Sequence, residues 1–167
     1  MVNREGISKF VSEILEKLGI DTSQSINISD VLRKLDIELK YDESLPYDGK
    51  IEKKSDDDSV CITIKSSSNN EARNRFTIAH ELGHYFLHAR GKENFTDSVF
   101  YRNLDYNDEE FEANEFAACL LMPEKQFREE VEKNVEESEV KIEPIAQRFG
   151  VSLQATINRG RFLNVFE

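Results

Sequence analysis

Residues 72–88 read ARNRFTIAHELGHYFLH, and this stretch decides the fold. The surrounding segment, residues 70–89, predicts one long helix, with Gly91 just beyond its end. Three polar residues are suitable as its N-cap: Ser68, Asn69 and Asn70. The candidate catalytic residues all belong to this helix or are expected to face it.

An HExxH motif, His80-Glu81-Leu82-Gly83-His84, lies within the predicted helix. Residues four apart lie one turn above each other on one helix face, so both imidazoles can reach a single metal ion. Glu81 projects toward the same cleft, where its carboxylate can take a proton from metal-bound water. The alternative is that both histidines are ordinary residues of a half-buried helix and that Glu81 is a surface charge. The helical context favours the metal site.

The third ligand must come from another element. The three histidines of the chain are His80, His84 and His88. On a helix His88 lies about 12 Å along the axis from His80, whereas zinc–nitrogen bonds are only about 2.0–2.1 Å long. We therefore interpret His88 as a packing residue or as a partner of a ligand imidazole. With no further histidine and no suitably paired cysteine, the third ligand should be a carboxylate.

The stretch NDEEFEANEFAACLLMP, residues 107–123, predicts a second helix. One face of it carries a carboxylate and mostly small residues: Glu110, Ala113, Asn114, Ala117 and Leu121. This face would let the helix lie close to the HExxH helix, with Glu110 facing the metal as the third ligand. Asn114, one turn below, could accept the outer N–H of a ligand imidazole. Glu109 and Glu112 point to other faces; Glu112 is the reserve ligand, because helix registers are uncertain at the ends.

Two neutral imidazoles and one carboxylate would leave a zinc ion with one open coordination position. This is the pattern of catalytic sites, since structural zinc sites are usually closed by four protein ligands. Zinc lowers the pKa of its bound water toward about 7. Glu81 would accept the proton and later deliver it to the leaving amine. The predicted reaction is hydrolysis of a peptide bond.

The rest of the chain predicts further helices and a small sheet. Amphipathic spacing indicates a helix over residues 7–18, ended by Gly19. The other predicted helices lie at residues 29–35, 124–134, 142–149 and 152–162. Short strands are predicted at residues 37–41, 50–53 and 60–64, antiparallel at least in the last two. We expect residues 1–140 to form the metallopeptidase domain and residues 141–167 to form a small helical tail packed on it.

Length and composition limit the class of protein. The 167 residues, 38% of them hydrophobic, suffice for one ordinary domain with a core. The sequence has no apolar run that could cross a bilayer and no recognisable export signal, so we expect a cytoplasmic protein without membrane association. Cys61 and Cys119 match no metal-binding or disulfide pattern, and we expect both to be buried.

The charge distribution disfavours a nucleic-acid partner. The chain has 22 Lys and Arg against 33 Asp and Glu, a net charge of −11, which opposes contact with phosphate backbones. We interpret the acidic segment, residues 105–143, as a solvated helix face in preference to a docking surface for a basic partner. Residues 145–162 of the tail have the outline of a helix-turn-helix, but the cations in this segment are only Arg148, Arg159 and Arg161. Packing on the core or docking of a repressor is therefore favoured over DNA binding.

The two motif blocks resemble the ImmA/IrrE family of zinc metallopeptidases, whose pattern is RFTxAHELGH with a further histidine four residues on, followed by ExxANxFAxxLLMP. The first block matches at Arg75, Phe76, Thr77, Ala79, His80, Glu81, Leu82, Gly83, His84 and His88. The second matches at Glu110, Ala113, Asn114, Phe116, Ala117, Leu120, Leu121, Met122 and Pro123. Weaker matches are Leu45, Pro46, Asp48 and Gly49 before the motifs, and FGVS with Arg159 in the tail.

The resemblance implies an α+β, zincin-like fold of the minimal gluzincin type, with a small antiparallel sheet, an HExxH helix and a glutamate helix. It also implies zinc as cofactor and a regulatory role, because family members cut a partner repressor of the helix-turn-helix type. We therefore expect a zinc-dependent endopeptidase that makes a limited cut in a protein partner and does not bind nucleic acid directly. The alternatives are a metal-stabilised module that sequesters its partner uncut, which would not need Glu81, and a DNA-binding regulator.

The connection between the motif blocks, residues 91–106, does not align with the family pattern. Residues 98–102 are a candidate extended edge for pairing with a substrate strand. Tyr101 and Tyr106 are candidates for stabilising an oxyanion. A surface loop with aromatic anchors explains the same residues, and neither tyrosine is assigned a role.

Overall fold

The computed structural model describes residues 4–54, 58–65, 70–89 and 108–166, which form an α+β fold. The helices are α1 (Arg4–Lys17), α2 (Ile28–Lys34), α3 (Glu71–His84), α4 (Asp108–Leu121), α5 (Glu124–Lys133), α6 (Ile142–Phe149) and α7 (Leu153–Phe162). The strands are β1 (Ile37–Tyr41), β2 (Gly49–Lys53), β3 (Val60–Ile64), β4 (Val135–Glu136) and β5 (Glu139–Val140). Over these four ranges, no helix combines the length and apolar character needed to cross a membrane.

Asn70 is the N-cap of α3, and it is one of the three residues predicted to cap this helix. Its side-chain oxygen accepts a hydrogen bond from the backbone N–H of Arg73 at 2.9 Å. This contact satisfies one of the N–H groups that the first turn leaves without a partner inside the helix. The other two cap candidates, Ser68 and Asn69, and the predicted stop at Gly91 lie outside the described residues.

The predicted helix over residues 70–89 is not uniform. After His84 it continues as a π-helical turn, Tyr85–Ala89. A π turn is wider than an α turn and occurs frequently at functional sites. Across this turn the side chain of His88 contacts both His84 and Glu112. The predicted helix is therefore confirmed over its length, and its last turn is π-helical rather than α-helical.

The three central strands form a mixed sheet in the order β1-β3-β2. β2 and β3 pair antiparallel, as predicted, with Ile51 opposite Ile62. β1 and β3 pair in parallel, with Leu39 opposite Ile62, so the expectation of an antiparallel sheet is wrong at this pair. Residues 42–48, which connect β1 to β2, are long enough to leave the width of one strand between them. β3 occupies this place and pairs with both.

The core lies between the sheet and the two motif helices, which approach each other closely at Gly83. A Cβ built at Gly83 would lie 2.9 Å from both the Cα and the carbonyl oxygen of Ala113. The close packing predicted for these helices is confirmed at this point. The largest fully buried side chains are Ile26, Ile51, Ile62, Ile64, Leu82, Phe116, Leu120, Leu121, Met122, Phe127, Ile145 and Phe149.

The C-terminal helices are joined to the core by buried polar contacts. Arg75 of α3 donates hydrogen bonds to the carbonyl oxygens of Phe149 at 3.2 Å and Gly150 at 3.1 Å. Gly150 separates α6 from α7 and has a φ of 63°, the left-handed conformation in which glycine is favoured. Arg159 of α7 donates to Glu115 of α4 at 3.1 Å, and both side chains are buried. The tail therefore contacts the helices of both motif blocks.

The acidic stretch after α5 contains a hairpin that the sequence did not predict. β4 and β5 pair antiparallel, with Val135 opposite Val140. The two residues between them, Glu137 and Ser138, have φ angles of 52° and 71°. A two-residue turn of type I′ requires positive φ at both central positions, which usually selects Asn-Gly or Asp-Gly. A Glu-Ser pair carries no such signal, so the turn was not recognisable.

Both cysteines are buried, as predicted. Burial raises the pKa of the Cys61 thiol above its ordinary value. Burial likewise raises the pKa of Cys119 to about 11. The Cys119 thiol also donates a hydrogen bond to Glu115 at 3.4 Å. Both thiols thus behave as small buried side chains rather than as reactive groups.

Candidate metal centre

Three side chains converge where α3 contacts α4. His80 Nε2 and His84 Nε2 lie 3.0 Å apart. Glu110 places Oε2 3.3 Å from His80 Nε2 and Oε1 3.1 Å from His84 Nε2. Their potential ligand atoms all lie within 4.8 Å of one another, and the three residues form the one such group in the described part of the chain. The structure thus brings together the three residues that the sequence predicts as ligands.

The spacing of these atoms suits a small divalent cation. Zinc binds imidazole nitrogen and carboxylate oxygen at about 2.0–2.2 Å in tetrahedral geometry, which separates neighbouring ligand atoms by roughly 3.3–3.5 Å. The observed separations of 3.0, 3.1 and 3.3 Å are close to this value. Two imidazoles and one carboxylate are also the donor set of one class of catalytic zinc sites. These residues could therefore hold zinc and leave a coordination position open.

Glu110 lies in the first turn of α4 and is partly buried. Burial by itself would raise the pKa of its carboxyl group. Hydrogen bonds with His80 and His84, and the positive charge those rings can carry, outweigh the burial and hold the pKa of Glu110 well below its usual range. The carboxyl group is therefore ionised at neutral pH, as a metal ligand must be.

Asn114 contacts His80 at Nδ1, the ring nitrogen that does not contact Glu110. Its Oδ1 atom lies 3.0 Å from His80 Nδ1, which is the contact that the sequence predicts for Asn114. An amide oxygen accepts hydrogen bonds and does not donate them, so His80 carries its proton on Nδ1. That tautomer leaves the Nε2 lone pair available to a metal.

His88 contacts His84 at Nδ1, the ring nitrogen that does not contact Glu110. His84 Nδ1 lies 3.1 Å from His88 Nδ1, and His88 Nε2 lies 3.1 Å from Glu112 Oε2. With His84 Nε2 turned toward a metal, His84 Nδ1 must donate and His88 Nδ1 must accept. His88 then carries its proton on Nε2 and donates it to the Glu112 carboxylate. One consistent order of protons therefore runs through these three residues.

Glu112, the reserve ligand of the sequence analysis, contacts His88 and is not part of the three-donor group. Glu109 is exposed. Sequence reasoning therefore missed the contact that Glu112 makes. The sequence carries little sign of this contact, because the contact depends on the position that the π turn gives to His88.

Glu81 is fully buried, so the alternative that it is a surface charge is wrong. A Cβ built at Gly49, the first residue of β2, would lie 3.3 Å from Glu81 Oε1 and 2.8 Å from Thr77 Cγ2. The start of the strand thus lies against the carboxylate, in a space where an added Cβ would force the Thr77 side chain to shift. Sequence reasoning did not identify Gly49 as a neighbour of Glu81, although Gly49 and Thr77 both match the family pattern.

The connection between the motif blocks, residues 91–106, lies outside the described residues. The same holds for the candidate edge at residues 98–102, for Tyr101 and for Tyr106. The placement of these residues at the cleft stays a prediction.

The model of the IrrE N-terminal-like domain, the M78 peptidase family, matches residues 32–160. The chain belongs to this family. The matched region of the IrrE N-terminal-like domain begins in α2 and ends in α7, so it includes both motif helices and most of the tail. The ImmA/IrrE resemblance of the two motif blocks is thereby confirmed, and the chain carries a metallopeptidase-like domain with a group of residues that could hold a metal.

No curated protein matches the chain in sequence. A solved structure of a Mycobacterium tuberculosis transcriptional regulator is similar, with a TM-score of 0.59 and 18% sequence identity. The similarity covers 92% of this chain and 46% of the regulator, so this chain spans less than half the length of that protein. At this identity the likeness concerns the fold of the IrrE N-terminal-like domain.

Proposed function

We propose that this chain is a zinc-dependent endopeptidase that makes a limited, regulatory cut in a protein partner in the cytoplasm. The substrate that we propose is a transcriptional repressor of the helix-turn-helix type. The observation that carries the proposal is the convergence of His80, His84 and Glu110, with the buried Glu81 next to the first of them in sequence. Membership of the M78 peptidase family supports a metallopeptidase activity.

In this proposal His80, His84 and Glu110 hold zinc, and Glu81 is the general base. When bound, zinc supplies Lewis acidity to the scissile carbonyl and to water. The Glu81 carboxylate takes the proton of the attacking water and delivers it to the amine of the leaving peptide. Asn114 acts on His80 by keeping the proton of that ring on Nδ1, away from the metal.

The edge of the sheet offers a place for an extended substrate. Among the described strands β2 lies at one edge, and its first residue, Gly49, lies against Glu81. A peptide that paired with this edge would run beside the general base, because main-chain hydrogen bonds hold an added strand in register with the sheet. This arrangement would bind the substrate backbone and leave side-chain selection to other surfaces.

The contacts of the tail disfavour DNA as a partner. Arg148 donates to the carbonyl oxygen of Ser23 at 2.8 Å, and Arg159 is buried in its ion pair with Glu115. Arg161 is the exposed arginine of this segment. Two of the three cations that a DNA-binding reading requires are therefore engaged within the chain. With a net charge of −11, the protein offers little attraction for phosphate.

The decisive experiment combines metal analysis with a cleavage assay. The substrate tested is whichever helix-turn-helix protein is encoded next to this chain, and its size is followed by mass spectrometry with and without a chelator. Glu81→Gln should bind zinc in the same stoichiometry as the unchanged protein and lose cleavage. Glu109→Gln is the matched control, because Glu109 is exposed and next to Glu110; it should keep both properties.

Three outcomes would contradict the proposal in different ways. Cleavage by Glu81→Gln at the normal rate would remove Glu81 as general base. Cleavage that persists after chelation would exclude a metal-dependent reaction. Binding of the intact repressor without any cut would instead support the sequestering module.

A further inference from the structure

A cavity of about 710 Å³ lies beside the candidate metal centre, between α4 and α7. This volume lies within the range of about 300–1,000 Å³ that small-molecule sites occupy. Its apolar wall is formed by Phe76, Phe111, Ala118, Met122, Ala155 and Phe162. Its polar wall is formed by Asn114, Glu115, Ser152, Gln154, Asn158, Arg159 and Arg161. An apolar body with one or a few polar groups is the chemistry that such a lining selects.

The charge of the lining favours an anion. Glu115 and Arg159 form a buried ion pair at 3.1 Å and largely cancel each other. Arg161 adds a second positive charge to the wall. The cavity therefore carries a net positive charge, although the chain as a whole carries −11. A carboxylate would be attracted to this cavity and repelled by most of the remaining surface.

Arg159 has a hydrogen-bond donor to spare. Its Nη1 atom donates to Glu115 and its Nε atom donates to the carbonyl oxygen of Met122 at 3.2 Å. The Nη2 atom is buried and has no acceptor among the described residues. The side chain is 1% exposed and is part of the cavity lining. A buried donor without an acceptor costs free energy, and a carboxylate oxygen that displaced the atoms covering Nη2 would recover it.

We propose that this cavity is a binding site for a small organic carboxylate with an apolar body. The carboxylate is bound between Arg159 and Arg161, and the body packs on the phenylalanine rings of the wall. Asn114 connects this site to the metal centre, because it lines the cavity and also contacts His80 at 3.0 Å. Occupancy of the cavity can therefore change how His80 is held, without the ligand touching the metal.

The test measures binding, so that it does not depend on cleavage. 3-Phenylpropionate is titrated into the Glu81→Gln protein by calorimetry, and thermal unfolding is followed in parallel. We expect saturable binding and a rise in the melting temperature. The matched amide, 3-phenylpropionamide, should bind at least about 10-fold more weakly, because it lacks the charge-assisted hydrogen bonds.

Variants test whether 3-phenylpropionate binds in the cavity or at another surface. Arg161→Gln should weaken 3-phenylpropionate binding by about 10-fold, and Arg33→Gln, an exposed arginine of α2 outside the lining, should leave it unchanged. Ala118→Phe should fill part of the cavity and abolish binding. Ala72→Phe, which lies outside the lining, is its control.

A free small carboxylate and a carboxylate on a polypeptide side chain are compared in the same titration. An acetylated Phe-Glu dipeptide amide presents the group as a side chain of a polypeptide. Preferential binding of 3-phenylpropionate supports the proposal. Binding of the dipeptide alone would overturn it and assign the cavity to the protein substrate. Absence of a heat or melting shift at millimolar 3-phenylpropionate, or unchanged binding to Ala118→Phe, would also overturn it.

Discussion

Gly83 lies so close to Ala113 that a Cβ at position 83 would be 2.9 Å from the Cα and from the carbonyl oxygen of Ala113. These are backbone atoms, so the neighbour cannot turn aside as a side chain could. The two histidines proposed as ligands lie on either side of Gly83 in the sequence, and Glu110 lies three residues before Ala113. The separation of α3 and α4 at this point therefore sets the distance between the donors of the candidate metal centre.

Gly83→Ala should destabilise the protein by about 1–3 kcal/mol, because the added methyl group forces the helices apart. Urea denaturation of the metal-free protein measures the effect. The double variant Gly83→Ala with Ala113→Gly should not recover stability, since the contacts are made by the Ala113 backbone. A gain in stability of up to about 1 kcal/mol, the value expected from helix propensity alone, would contradict the close contact.

Glu110→Gln should lose more zinc affinity than Glu112→Gln. Glu110 supplies an ionised carboxylate at 3.1–3.3 Å from both imidazoles, whereas Glu112 contacts His88. Loss of a partner outside the ligand set typically costs about 10–100-fold in affinity, so the loss at Glu110 should be larger than this. Competition with a fluorescent zinc chelator measures both variants. The reverse order would transfer the role of third ligand to Glu112.

His88→Ala should weaken zinc binding by about 10–100-fold, because His84 Nδ1 loses the acceptor that fixes its tautomer. His88→Asn should recover part of this affinity, since an amide oxygen can accept the same proton. A purely packing role predicts a different result. In that case both variants would lower the stability of the metal-free protein and leave the zinc affinity unchanged.

Cys119 should react slowly with alkylating reagents in the folded protein. Burial raises its pKa from 9.0 to about 11, so at pH 8 the reactive thiolate is about 100-fold less populated than in the unfolded chain. Iodoacetamide labelling with and without urea, read by mass spectrometry, measures this difference. The folded state holds the proton more tightly, so the contribution of Cys119 to stability is complete below about pH 9 and declines above it. Rapid labelling in buffer alone would contradict the burial.

The parts of the site that follow from local spacing were predictable from the sequence. His80 and His84 share a helix face because they are four residues apart, and Glu110 and Asn114 share a face for the same reason. Their meeting across the two helices was predictable because Gly83 and the small residues of α4 permit a close approach. The strand positions were also predictable from short stretches between turn formers, in which apolar and polar residues alternate in β1 and β-branched residues predominate in β3.

The features that depend on distant contacts were not predictable. The parallel pairing of β1 with β3 depends on the path of the connection between β1 and β2, which no residue type dictates. The π turn was likewise not predicted from the sequence, and with it the contacts of His88 with His84 and Glu112. The ion pair between Glu115 and Arg159 joins residues that are 44 positions apart, so spacing carries no signal of it.

That ion pair has a practical consequence for truncated versions of the chain. A fragment that stops at residue 140 would retain every proposed zinc ligand but lose Arg159, the counter-ion of Glu115, together with the buried side chains of α6. Removal of one member of a buried pair typically costs about 3–5 kcal/mol, a large share of the stability of an average domain. Such a minimal catalytic fragment would be expressed in unfolded or aggregated form, and its inactivity would say nothing about the chemistry of the HExxH helix.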